Sequence, residues 1–167
     1  MMKGKRTDLS TNACAIARSL NVIGDWWSLL IIRDALSGAR RFGEFQRKLG
    51  LAKNILSARL RKLVETGILK TAPASDGSAH NEYLLTGKGE QLYLVLAALW
   101  QWGETYAFND GEQELSLVDR ERSQRMAPLE LKTIDGRRVG PRDYTAKRRE
   151  ISLVRSDRGA APDRGLA

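Results

Sequence analysis

Apolar residues recur every three or four positions through most of residues 14–66, and this spacing predicts a series of short amphipathic helices. Asp25 precedes the second and most apolar of them and is a suitable N-cap. That helix is so apolar, Trp26 included, that we expect it to be largely buried. Glycine and serine separate the segments. The predicted helices span residues 14–23, 25–36, 42–49 and 53–66.

Two strand-like segments follow the fourth helix, at residues 68–72 and 82–85. A small polar loop joins them, with an Asp-Gly turn at residues 76–77. A long closing helix is expected over residues 86–108. Two short helices joined by a tight turn and followed by a hairpin have the order of a winged helix-turn-helix. The predicted fold class is therefore mainly α with a small β wing, in a domain covering residues 12–108.

Positive charge is concentrated on the third and fourth helices. Residues 40–64 hold eight Lys or Arg residues and one acid, Glu44, a formal charge of +7, whereas the whole chain of 167 residues carries +8. Two short helices with this charge are suited to lie on DNA phosphate. A solvated basic face without a partner is the alternative interpretation.

The polar side of the fourth helix supplies the candidate DNA contacts. Projection at about 100° per residue places Asn54 and Arg61 opposite the leucines. In the major groove Asn pairs with adenine and Arg with guanine, so these two are the candidates for reading bases. A phosphate contact is the alternative for Arg61. Arg59 projects towards the inner flank, where we expect an intramolecular ion pair. The remaining candidates, for phosphate or wing contacts, are Arg40, Arg41, Lys53, Ser57, Lys62 and His80. For His80 the alternative is a polar surface residue without a DNA contact.

Composition limits the other function classes. One cysteine, Cys14, and one histidine provide neither an intramolecular disulfide nor the ligand set of a structural metal site. No nucleophile with a base, carboxylate pair or phosphate-binding loop is visible, so we expect no enzyme and no cofactor. No apolar run approaches the ~20 residues that cross a bilayer, and the basic start of the chain lacks a signal-type core. These features predict a cytoplasmic protein without a membrane partner.

Several spaced motifs within residues 12–107 resemble the HxlR-type family of bacterial winged helix-turn-helix regulators. They read VIGDWWSLLIIRD (22–34), GARRFGEF (38–45), ILSARLRKL (55–63) and EYLLTGKG (82–89), preceded by CAIAR (14–18) and closed by Trp102-Gly103. The resemblance implies a homodimer that binds an inverted-repeat operator in double-stranded DNA, more often as a repressor. A general nucleoid-type DNA-binding protein is the alternative. A small-molecule effector is compatible with both and is not identified by the sequence.

The resemblance also implies that the first and last helices of the domain form the dimer interface. The alternative for the last helix is that its apolar residues belong to the intramolecular core. The residues implied in the interface are Ile16, Leu20, Leu92, Val95, Leu96, Leu99, Trp100 and Trp102.

Cys14 matches a cysteine that some members of that family use to sense oxidants. The alternative is a small buried apolar residue, as many free cysteines are.

The ends of the chain differ from the domain in composition. Residues 1–11 are expected to be a flexible basic segment and residues 151–167 a disordered tail. Residues 109–150 predict a small β appendage with a hairpin turn at Asp135-Gly136. The appendage resembles a zinc-ribbon-like extension without its cysteines, so we expect no metal. Its own apolar residues should hold it together: Leu115, Leu117, Leu129, Leu131 and Ile134.

Overall fold

The computed structural model describes residues 8–74, 76–77, 79–109 and 111–147. These residues form two compact units, which divide between Leu129 and Glu130. The expectations for residues 1–7 and for the tail from residue 148 onward lie outside the described residues.

The first unit has the element order that the sequence predicts. Each predicted helix and strand up to residue 85 is confirmed, with boundaries shifted by no more than one residue. The elements are α1 (Ala15–Ile23), α2 (Trp26–Leu36), α3 (Phe42–Leu49), α4 (Lys53–Glu65), β1 (Leu69–Pro73), β2 (Asn81–Leu85), α5 (Gly87–Glu90) and α6 (Tyr93–Tyr106).

The core lies where α2, α3, α4 and the hairpin meet. Each contributes side chains that are fully excluded from solvent, and one fully buried leucine or isoleucine stabilises the fold by roughly 1.5–3 kcal/mol. The apolar spacing of α4 is what turns its leucine side inward. The completely buried apolar side chains are Ile31, Ile32, Phe45, Leu56, Leu60 and Leu63.

Asp25 fixes the start of α2 and also holds α4 in place. Its carboxylate accepts hydrogen bonds from the Ser28 backbone N–H at 2.9 Å and from the Ser28 hydroxyl at 2.7 Å. The predicted N-cap is therefore confirmed. The same carboxylate lies 3.3 Å from Nε of Arg59, which confirms the expected intramolecular pair.

Trp26 departs from the expectation of burial. Its side chain is 75% exposed, whereas Ser28, Ile31 and Ile32 on the same helix are completely buried. The helical projection explains the difference, because Trp26 lies on the side of α2 opposite to these residues. A helix that is apolar around its whole circumference cannot be buried on every side by one layer of neighbouring elements.

The wing is an antiparallel hairpin joined to α3. Its register pairs Leu69 with Leu85 at one end and Pro73 with Asn81 at the other. The Tyr83 N–H donates to the Arg40 carbonyl at 2.7 Å. The Tyr83 ring also meets the Phe45 ring edge-on, with centroids 6.5 Å apart. These contacts set the wing beside the start of α3.

The predicted single helix over residues 86–108 is wrong at its start. A one-turn helix, α5, comes first, and the turn residues Gln91 and Leu92 separate it from α6. The Thr86 hydroxyl accepts from the Gly89 N–H and donates to the Gly67 carbonyl at 2.7 Å. A Cβ at Gly89 would lie 2.3 Å from the Ile68 carbonyl oxygen, so only glycine allows this approach. The first turn is thus tied to the hairpin.

The end of the first unit contains little regular β structure. Within its described residues after α6, pairing is limited to an isolated bridge between Val118 and Arg125. Polar contacts fix the segment instead. Gln101 on α6 donates to the Ala127 carbonyl at 2.8 Å and accepts from the Leu129 N–H at 2.7 Å. The expectation that Leu115 and Leu129 join an apolar core is wrong, because both side chains are exposed.

The described part of the second unit has the predicted turn without the predicted strands. The Thr133 N–H donates to the Arg137 carbonyl at 2.9 Å, and Gly136 adopts a positive φ of 88°. Pairing within residues 130–147 is an isolated bridge between Lys132 and Arg138. Leu131 and Ile134 are exposed, so the expected apolar core is absent from these residues.

Among the described residues, no single helix is long and apolar enough to cross a membrane. Only α1 and α2 taken together meet such a test, and the chain bends by 77° between them.

Candidate nucleic-acid interface

The outward face of α4 brings together four of the residues that the sequence singles out. Lys53, Asn54, Ser57 and Arg61 are all exposed. On the opposite side of the same helix, residues 56, 60 and 63 are leucines with no solvent exposure. The buried side fixes the orientation of α4, and that orientation leaves two cations, an amide and a hydroxyl facing solvent on a helix that can enter a major groove.

The start of α4 has no side-chain cap. Ala52 occupies the N-cap position and offers only its carbonyl, which accepts from the Ile55 and Leu56 N–H groups. The first N–H groups of the helix therefore face outward beside Lys53. Helix N-termini of this kind attract phosphate, because the helix dipole and the free N–H groups act together.

Lys62 is placed differently from its neighbour Arg61. Its Nζ donates to the Asn21 carbonyl at 2.9 Å, and the residue is half-buried. The contact joins α4 to the end of α1. Lys62 is therefore not part of the outward face, although the sequence suggests that it is.

Arg40 and Arg41 belong to an ion-pair cluster with the wing. The Arg41 guanidinium lies 2.6 Å from an Asp76 carboxylate oxygen and 3.5 Å from Glu82, and Arg40 lies 4.0 Å from Glu82. Asp76 raises the pKa of Arg41 above its usual range through a hydrogen bond and its charge. A phosphate that binds Arg41 must compete with Asp76, which is itself half exposed.

Sequence reasoning missed the two acids of this cluster. Asp76 sits in the turn that the sequence does predict, but nothing local indicates that the turn folds back towards residue 41. Glu82 is buried on β2, where a carboxylate needs a cationic partner. A carboxylate in a strand that continues with Tyr83, Leu84 and Leu85 is the signal that points to such a partner.

Glu44 fixes the backbone that carries both arginines. One of its carboxylate oxygens accepts from the Arg40 N–H at 2.7 Å and from the Arg41 N–H at 2.9 Å. These hydrogen bonds lower the pKa of Glu44, and the charges of Arg41 and Arg47 lower it further. The one acid of the basic segment is therefore an N-terminal anchor for α3.

His80 lies exposed at the wing, and its carbonyl accepts from the Ala74 N–H at 3.0 Å. Together with Arg41 and Arg47 it lines an open groove between α3 and the hairpin. The groove places the cations of α3 beside the wing.

The residues expected at a dimer interface fall into two groups. Ile16, Leu20, Val95, Leu99 and Trp102 are exposed. Leu92 and Leu96 are half-buried against the core, and Trp100 is half-buried on another side of α6. No residue of α6 is fully buried within the described chain. Intramolecular packing, the alternative interpretation, therefore fits Leu92, which precedes α6, and Leu96 on α6.

Cys14 is exposed at the N-cap position of α1. The alternative of a small buried apolar residue is therefore wrong, and oxidant sensing stays a prediction. Among the described residues, no group of three or more His, Cys, Asp or Glu side chains is arranged to hold a metal ion.

Known proteins with similar sequences include a helix-turn-helix family and several transcriptional regulators. A model of the HxlR-like helix-turn-helix family matches residues 22–110. The HTH-type transcriptional regulator Mb3122 of Mycobacterium bovis is 42% identical over 92 residues, which cover 55% of this chain and 58% of that protein. A regulator from Methanothermobacter thermautotrophicus is 30% identical over 104 residues, which cover 60% of this chain and 79% of that protein. The match thus spans less than two thirds of the mycobacterial relative.

Solved structures share the fold. PA1607, named "a Putative Transcription Factor", superposes with a TM-score of 0.81 at 48% identity, covering 86% of this chain and all of that one. The oxidized form of the redox regulator HypR superposes with a TM-score of 0.50 at 29% identity, covering 55% and 96% of the two chains. The matched family is described as helix-turn-helix, and the two relatives from Mycobacterium bovis and Methanothermobacter thermautotrophicus are named transcriptional regulators.

Proposed function

The chain belongs to the HxlR-like helix-turn-helix family, and we propose that it regulates transcription in the cytoplasm by binding specific sites in double-stranded DNA. The observation that carries this proposal is the two-sided character of α4. Its leucine side has no solvent exposure, and its opposite side presents Lys53, Asn54, Ser57 and Arg61 to solvent. Because its leucine side is packed into the core, α4 fixes the positions of its outer side chains well enough for them to discriminate between bases.

The roles of the outer side chains follow from their chemistry. Asn54 and Arg61 read base edges in the major groove, where each pairs bidentately with one base type. Lys53 and Ser57 contact phosphates and fix the register without reading sequence. Arg40, Arg41 and His80, which lie beside α3 and at the wing, contact the flanking backbone.

A homodimer gives the protein two such helices. Val95, Leu99, Trp102 and Tyr106 are exposed on α6 and follow a spacing of i, i+4, i+7 and i+11, which places them in one stripe. With the exposed Ile16 and Leu20 of α1, this apolar stripe is a surface that a second copy would cover. A twofold dimer requires an inverted-repeat operator with half-sites about 10 base pairs, or a multiple, apart. Occupying such a site in a promoter represses transcription.

Selection of genomic fragments by the purified protein tests the proposal. At about 0.15 M salt, where exposed charges separated by more than ~8 Å are largely screened, the protein should enrich a few fragments that share an inverted repeat. A variant carrying Asn54→Ala and Arg61→Ala keeps Lys53 and serves as the matched control, because it should bind DNA without enriching those fragments.

The alternative is a nucleoid-type protein that binds any DNA through its charge. It predicts uniform recovery of fragments by both proteins and a binding constant governed by salt alone. Enrichment without an inverted repeat would contradict the dimeric part of the proposal and leave the recognition by α4 in place.

A further inference from the structure

A cavity of about 440 Å³ lies between α6 and residues 112–115, and no residue of α4 lines it. Its volume falls in the range of about 300–1,000 Å³ that small-molecule sites occupy. Apolar side chains form most of its wall, including Leu99 and Trp100 from α6 and Phe108 and Leu115 beyond it. The size and the apolar wall suit a compact organic molecule.

Two residues of the cavity wall each carry a buried polar atom that has no hydrogen-bond partner among the described residues. They are the indole Nε1 of Trp100, a donor, and Oε1 of Glu104, an acceptor. The two residues are four apart on α6, so their side chains lie next to each other on one face. Leaving a buried donor or acceptor unpaired costs roughly 1–3 kcal/mol, so a protein retains such a pair where something else satisfies it.

The charge of the lining identifies the kind of molecule. Three glutamates line the cavity, and no basic residue does so among the described residues. Glu112 is already occupied, because it accepts from the backbone N–H of Asn109 at 2.8 Å and from its side-chain amide at 2.9 Å. Of the other two, Glu114 is exposed to solvent and Glu104 is half-buried, so Glu104 is the acceptor that a ligand in the cavity would use. The rings of Trp100 and Phe108 add two surfaces that attract a cation.

We propose that this cavity binds a small organic cation with a flat apolar body. Its ammonium or amidinium N–H donates to Oε1 of Glu104, its body packs against Trp100 and Phe108, and a hydroxyl or carbonyl oxygen accepts from the Trp100 indole N–H. The site combines a charge-assisted hydrogen bond with an apolar enclosure, as small-molecule sites usually do.

The position of the cavity connects it to DNA binding. Leu99 lines the cavity and also belongs to the apolar stripe of α6. A ligand that moves Leu99 therefore changes the surface against which the second copy packs, and with it the separation of the two α4 helices. This coupling rests on the proposed function, whereas occupancy of the cavity does not.

Titration calorimetry on the full chain without DNA tests occupancy with three probes of one shape. Tyramine carries an ammonium group, tyrosol replaces it with a neutral hydroxyl, and 4-hydroxyphenylpropanoate replaces it with a carboxylate. Tyramine should bind at least about 10-fold more tightly than the other two, because only it forms the charge-assisted pair with Glu104. Equal affinities for the three probes, or no saturable binding of tyramine, would overturn the proposal.

Variants locate the probe. Glu104→Gln keeps the shape of the side chain and removes its charge, and it should weaken tyramine binding at least about 10-fold. Trp100→Phe removes the indole N–H but keeps an aromatic ring, and it should weaken tyramine binding several-fold. Leu115→Lys places a cation on the exposed rim of the cavity and should also weaken tyramine binding. With three variants, the test does not depend on the folding of any one of them. Glu90→Gln, at an exposed glutamate of α5, is the matched control and should bind as the wild type does.

Operator binding by the same proteins without a probe separates the two proposals. If tyramine binding depends on Glu104 but the protein selects no DNA, the cavity proposal is supported and the proposed function is contradicted. Unchanged tyramine affinity in the Glu104→Gln variant, in a protein that does select an operator, would overturn the cavity proposal alone.

Discussion

Arg61 is one of the two exposed side chains that we propose to read bases. It lies on α4 with Leu60 buried on one side of it and Leu63 two positions further on, so the backbone beneath it cannot shift. Lys62, its neighbour, is fastened to the Asn21 carbonyl and stiffens the same turn. The guanidinium is thus presented from a fixed base, which bidentate pairing with guanine requires.

Replacing Arg61 with Ala should weaken operator binding by about 1–3 kcal/mol and relax the preference at one base pair. Fluorescence anisotropy on the operator and on its single-base variants measures both effects. Arg142→Ala, at an exposed arginine outside the domain, is the control and should bind as the wild type does. An equal loss on operator and on random DNA would show instead that Arg61 contacts phosphate.

Asp76 limits the use of Arg41 by DNA, because the two side chains pair at 2.6 Å. The Asp76→Asn variant should release Arg41 for a phosphate and strengthen binding to operator and random DNA alike. The salt dependence, as the slope of log K against log[salt], should steepen by about 0.9 for one further neutralised phosphate. Asp135→Asn makes the same change in net charge at a turn of the second unit. If it steepens the slope as much, the effect is net charge and not release of Arg41.

At the scale of elements, the start of α3 depends on the ionisation of Glu44. Its carboxylate holds two backbone N–H groups, and its pKa in the folded protein is lowered from the ordinary 4.5. A lowered pKa means that the folded state prefers the ionised form. The stabilisation is therefore complete above the unfolded value of 4.5 and is lost as the pH falls through the lower folded-state pKa.

Thermal unfolding followed from pH 7 to pH 3 tests this dependence. Glu44→Gln keeps an oxygen acceptor and removes the charge, so it should be less stable at pH 7 by about 0.3–1 kcal/mol, the usual contribution of an acid in the first turn of a helix. This deficit should shrink as the pH falls. The other carboxyls with lowered pKa values, such as Asp119, titrate equally in both proteins and cancel in the difference. A deficit that stays constant over this range would contradict the role given to the charge of Glu44.

Elements with a strong periodic pattern were predictable, and those governed by distant contacts were not. The α4 pattern of Leu56, Leu60 and Leu63 is local and sufficient to define the helix and its inner face. The break between α5 and α6 depends on the Ile68 carbonyl approaching Gly89, a contact between residues far apart in the chain. The alternating apolar residues after α6 resemble strands, yet Gln101 and backbone contacts hold that segment instead.

In the candidate site, too, some features could be predicted from the local sequence and others could not. Exposure of Asn54 and Arg61 follows from the helix period alone. The pairing of Arg41 with Asp76 and of Lys62 with Asn21 arises only once the wing and α1 are in place, so no local pattern could indicate it. The sequence therefore located the basic residues around α3 and α4 correctly. It did not indicate their ion-pair and hydrogen-bond partners.

At the scale of the whole molecule, the exposed stripe of α6 should be the contact between two copies. Trp102 is 61% exposed within one chain. Trp102→Glu would bury an unpaired carboxylate in that contact, which association does not tolerate. We expect a monomer in sedimentation at concentrations where the wild type is a dimer, together with weaker operator binding.

Ile134→Glu serves as the control, because Ile134 is a fully exposed apolar residue outside the stripe. It should leave the sedimentation of the protein unchanged. A dimer that persists in the Trp102→Glu variant would place the contact elsewhere on the molecule.

The central claim is that α4 discriminates between DNA sequences, and a competition titration measures that ability directly. The selected operator, labelled, is displaced from the wild-type protein by unlabelled operator or by scrambled DNA of the same length and composition, at one fixed salt concentration. A preference for the operator of about 10³-fold or more is predicted. Equal displacement by the two competitors would contradict the account.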